Sequence, residues 1–77
     1  MNDEIANVMI HVNETLDERA LHLLEEDLRR DRGVVSVGHN PRRPHLVMLA
    51  YDSAVSRSST FLRQFPAHGL HAQLVGL

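Results

Sequence analysis

Histidine is the side chain best equipped for chemistry in this protein: there are six in 77 residues, and no cysteine. Imidazole is a borderline ligand, so a group of these rings would suit Zn(II), Ni(II), Co(II) or Cu(II). Glu14, Asp17 and Glu18 could add carboxylate oxygens. His11 and His71 make the best pair, with His45 or His68 able to join them. No compact His-x-x-x-His motif occurs, and Gly69 between His68 and His71 argues against a helical pair. The plain alternative is six solvated histidines bonded to backbone or water. His22, four residues from both Glu18 and Glu26, fits a solvated helix face better than a surface site.

Other chemistries find less support. Without cysteine, disulfides, thiolate metal sites and thiol nucleophiles are all excluded. Ser53, Ser56, Ser58 and Ser59 cluster as candidate helix caps, with no serine–histidine–acid arrangement around them. No glycine-rich phosphate loop is present, and a non-catalytic protein is expected. The net charge of −2 is nearly balanced and mixed along the chain, which argues against a nucleic-acid binder using a basic surface. The start, Met1-Asn2-Asp3-Glu4, is acidic and unlike a signal peptide, and no apolar run approaches the ~20 residues that span a bilayer. These features predict one soluble, cytoplasmic domain over residues 1–77 without membrane insertion.

The elements that must position the histidines follow from periodicity. Val8, Ile10 and Val12 alternate with Met9 and His11, which predicts a strand over Asn7 to Val12. Thr15 with Glu18 forms a capping-box pattern, opening a helix that runs to Asp31. Its inner stripe is Ala20, Leu21, Leu24 and Leu28, its outer face includes Glu25, and Gly33 fits the C′ position. Val34 to His39 reads as a second strand and His45 to Tyr51 as a third, joined by a turn at Asn40-Pro41-Arg42-Arg43-Pro44. A second helix runs from the serines to about Phe65, closed by Pro66 and Gly69, and Leu70 to Val75 makes the last strand. The order βαββαβ predicts an α+β, ferredoxin-like two-layer sandwich: a four-stranded antiparallel sheet with two helices on one face. Right-handed crossovers place the first and third strands at the centre, the fourth beside the first, and the second at the other edge.

Over almost its whole length the sequence resembles the heavy-metal-associated domain, the family of copper chaperones and the soluble metal-binding domains of metal-pumping ATPases. The matching stretches are Gly33-Val34-Val35-Ser36-Val37-Gly38-His39, then Tyr51-Asp52, then Gly69-Leu70-His71-Ala72-Gln73-Leu74-Val75. Where that family carries Cys-x-x-Cys, this chain has Leu16-Asp17-Glu18-Arg19. Leu16 cannot ligate and Arg19 repels a cation, so the resemblance implies the fold while ruling out thiolate metal transfer. It also implies that His11, His39, His45, His68 and His71 lie toward the end of the domain where the family binds metal.

Strand parity puts Met9, His11, Leu46, Met48, Ala50, His71, Gln73 and Val75 on the sheet face away from the helices. RNA-recognition domains share the element order, but they place stacking aromatics there. Here the same face holds methionines, and Met9, Leu46, Met48 and Val75 form an apolar patch of the kind that marks contact surfaces. Two functions follow as expectations. One is a metal-trafficking-related domain using imidazoles in place of thiolates and serving a metal transporter. The other is an interaction or regulatory module acting through its open sheet face, by homodimerisation or by docking a protein partner.

Overall fold

The computed structural model describes residues 4–76; Met1, Asn2, Asp3 and Leu77 lie outside the described residues. The elements are β1 (Ile5–Val12), α1 (Glu18–Arg29), β2 (Val34–Asn40), β3 (Arg43–Asp52), α2 (Ser58–Leu62), a 3₁₀ turn (Pro66–His68) and β4 (Ala72–Gly76). All strands pair antiparallel in the order β2-β3-β1-β4, as the crossover argument requires. Val8, Ile10 and Val12 of β1 and Val47, Leu49 and Tyr51 of β3 point to one side of the sheet. They pack there against Leu21, Leu24 and Leu28 of α1 and against Phe61 and Phe65. One cluster therefore receives both helices, and it is built mostly from aliphatic side chains with the rings of Tyr51, Phe61 and Phe65. Tyr51 meets Phe61 edge to face, with ring centroids 5.0 Å apart.

Several local expectations are corrected. Asp17, not Thr15, caps α1: its Oδ1 accepts from the Ala20 N–H at 2.7 Å. The carboxylate satisfies an otherwise unpaired donor and adds charge where the helix dipole favours it. Glu25 is buried rather than outward-facing. Gly33 is not a left-handed helix cap, since Gly69 is the glycine with positive φ among the described residues. Gly33 is small because the chain passes close to Ser56: a Cβ there would lie 2.9 Å from the Ser56 Cβ. Asp31 ties this crossing together, accepting from the Gly33 N–H at 2.8 Å and from the Ser56 hydroxyl.

The second helix is shorter than its pattern implies. Ser58 and Ser59 do not cap it; Arg57 occupies that position without a side-chain bond. Pro66 lacks the N–H that would reach back to Leu62 and its ring crowds that carbonyl, so α2 gives way to i→i+3 bonding before the 3₁₀ turn. Phe61 and Phe65 nevertheless reach the same core. Gly69, at φ 74°, then turns the chain toward β4, where a glycine meets little steric penalty. Pro44 falls inside β3, where the register between β2 and β3 breaks between His39 and Asn40, a bulge position that tolerates the missing N–H.

Candidate functional site

β1 ends at Val12 beside the start of β4, and β3 enters next to it, so the loop Asn13–Asp17 is surrounded by His11, His45 and His71. Glu14 organises this end. Its Oε1 accepts from the His71 backbone N–H at 2.7 Å, and its Oε2 lies 2.6 Å from His71 Nδ1. The backbone bond from His71, then the side-chain bond, hold the Glu14 carboxyl below the usual carboxylate range. A carboxylate only accepts, so Nδ1 of His71 donates, and in the neutral ring the lone pair is then on Nε2.

His45 is oriented in the same sense. Its Nδ1 lies 2.9 Å from the Val12 carbonyl and 3.0 Å from the Glu14 carbonyl, so it must donate. That leaves the Nε2 lone pair available. The His45 ring stacks on His11 with centroids 5.8 Å apart and an interplanar angle of 22°. Nδ1 of His11 is buried with no hydrogen-bond partner in the structure, an uncommon state for a polar atom. The His71 carbonyl accepts from the Asn13 N–H, and His11 pairs with Gln73, so His71 stands just before β4 rather than in it, two residues from the partner of His11.

The other three histidines lie apart from this group. His68 Nε2 is 3.0 Å from Asp27 Oδ2, in the second half of α1 and toward the end opposite the loop. His39 turns to the helix side, its Nδ1 3.1 Å from Glu25 Oε2. This contact explains why Glu25 is buried, and it could not be read from helix periodicity, because the partner lies in a strand. His22 pairs with Glu26 at 3.1 Å on an exposed helix face. Among the described residues, no three His, Asp or Glu side chains already converge closely enough to hold an ion. A thiolate-loving ion has no donor set here. Leu16 is half-buried against the core, Arg19 is exposed, and there is no cysteine.

The open sheet face forms the second candidate surface. Cross-strand rows run Ser36–Ala50–Asn7, Gly38–Met48–Met9–Gly76, and Leu46–His11–Gln73. Met48 is 53% exposed, while Met9 and Leu46 are half-buried. Val75 is exposed and falls where the register between β1 and β4 shifts. A shallow depression of about 550 Å³ lies against Met9, Met48 and Ala50, open because Gly38 has no side chain. No helix among the described residues is long and apolar enough to cross a membrane.

No protein-family model matches the sequence, and no curated protein does. Solved structures match over nearly the whole chain. Oxidized MerP from Ralstonia metallidurans superposes with a TM-score of 0.80 at 11% identity, covering 92% of this chain and 97% of its own. A copper-binding domain of a P-type ATPase gives 0.80 at 11% identity, with 91% and 93% covered. The N-terminal domain of a potential copper-translocating P-type ATPase from Bacillus subtilis, in its Cu(I)-loaded state, gives 0.83 at 15% identity, with 94% and 89% covered. At such identities the likeness is one of fold: the chain has the fold of the heavy-metal-associated domain, without a cysteine.

Proposed function

We propose that the protein is a non-catalytic, metal-handling domain in which imidazoles at the loop end replace thiolates, taking a borderline divalent ion such as Zn(II), Ni(II), Co(II) or Cu(II). The observation that carries this reading is the shared orientation of His45 and His71. Each gives its Nδ1 proton to an oxygen at the Glu14 loop, leaving Nε2 free to ligate. A carboxylate or carbonyl behind the ring is the usual support of a metal-binding histidine, fixing its tautomer and raising its basicity. His11, stacked on His45 with an unpartnered Nδ1, is the third ligand. Because the three rings do not yet converge, side-chain rotation must accompany binding, and water completes the coordination. His68 is left out of this set because its Nε2 bonds to Asp27 of α1, away from the Glu14 loop.

Fold similarity to copper-binding domains of P-type ATPases supports a trafficking setting, with a metal transporter as the natural partner. The donor set changes the cargo, because imidazole favours borderline ions where thiolate favours Cu(I). Isothermal calorimetry tests this. The protein should bind Zn(II) at one equivalent and Cu(I) far more weakly, and His71→Ala should remove most of the Zn(II) heat. Equal heats for His71→Ala and the unsubstituted protein would reject the site.

A further inference from the structure

We propose that the open sheet face joins a second copy of this chain in a two-fold, face-to-face dimer centred on the methionine row. The proposal does not require a bound metal and shares only His11 with the metal reading.

Charge is the first argument. Charged residues make up 23% of the chain, yet none stands in the three central rows of this face, from Asn7–Ala50–Ser36 to Leu46–His11–Gln73. A heterologous partner steered by charge would find nothing to read there, whereas two copies can meet without like-charge repulsion. The arrangement of the rows is the second argument. On β3, Leu46 and Ala50 are equidistant from Met48, and on β1, Asn7 and His11 are equidistant from Met9. A two-fold axis along the methionine row therefore sets the large Leu46 of one copy against the small Ala50 of the other. It also sets the Asn7 amide against the His11 imidazole, a donor–acceptor match. Met48 meets Met48 near the axis, and the depression left open by Gly38 gives these flexible side chains room to interleave.

Area sets the strength. Four strands are about 19 Å wide and the ten residues of β3 about 34 Å long, so the face of each copy spans about 650 Å². That is below the roughly 800 Å² per partner of a standard interface. The dimer is accordingly weak and concentration-dependent, with a dissociation constant between micromolar and millimolar.

Sedimentation equilibrium from micromolar to millimolar protein tests this. The weight-average mass should rise from 8.7 kDa toward twice that value. Gly38→Val should hold the protein monomeric by filling the depression. An added Cβ there meets nothing within 4 Å in the single chain, so circular dichroism should show the fold unchanged. Met48→Lys and Met48→Glu should each be monomeric alone and should dimerise when mixed, because the two-fold places position 48 against itself. An unsubstituted protein that stays at the monomer mass, a Gly38→Val variant that dimerises as before, or a Lys–Glu mixture that fails to associate would overturn the proposal.

Discussion

At the scale of single residues, Glu14 is the organising side chain of the loop end. It accepts both the backbone N–H and the ring N–H of His71, and these bonds hold its carboxyl below the ordinary range. A carboxylate with a depressed native pKa stabilises the fold above its unfolded pKa and loses that contribution as pH falls through the native value. Thermal unfolding of the protein and of Glu14→Gln should therefore differ at neutral pH, with the variant lower, and converge in acid. A constant gap down to the most acidic folded condition would show that Glu14 acts through packing instead. The sequence placed Glu14, His11, His45 and His71 at the loop end, where the structure has them, but it also put His39 and His68 there, and these bond instead to Glu25 and Asp27 of α1. It could not show which ring nitrogen each histidine uses, because that depends on carbonyls and carboxylates distant in the chain. The same reason hid the Glu25–His39 pair, whose members are separated by a helix turn, a loop and most of β2.

At the scale of elements, the strands were the most legible, since alternation over β1 and β3 survives intact into the core. The helix boundaries were less so. Thr15 and Asp17 both suit an N-cap, and only the backbone at Asp17 brings its side chain to the Ala20 N–H. Asp17→Ala should cost about 1 kcal/mol in chemical denaturation, and Thr15→Ala much less. Equal losses would return the cap to Thr15. Gly33 is the clearest case of a correct residue with the wrong reason: its role is to let the α1–β2 connection pass Ser56, and no local pattern reports an approach between segments so far apart. Gly33→Ala should destabilise by about 1–3 kcal/mol, the usual cost of overpacking, and Ser56→Gly should recover part of that loss. No recovery would mean that the strain lies in the backbone instead. The second helix was overestimated because Phe61 and Phe65 share a helical spacing, while Pro66 stops the α-helical bonding between them.

At the scale of the whole molecule, element order and crossover handedness were enough to give the sheet order, and solved structures of heavy-metal-associated domains share it at TM-scores of 0.80 to 0.83. The fold puts a loop, a hairpin and a strand start at one end whatever residues occupy them. In this chain that end carries the imidazoles of His11, His45 and His71 and the Glu14 carboxylate. Function then depends on whether three separately anchored rings act as one donor set. A two-dimensional NMR titration of the imidazole nitrogens with Zn(II) tests this most directly. The account predicts saturable shifts at one equivalent confined to His11, His45 and His71, with Nε2 of His45 and His71 moving most and His22, His39 and His68 unmoved. Shifts that are scattered over all six rings, or that never saturate, would contradict it.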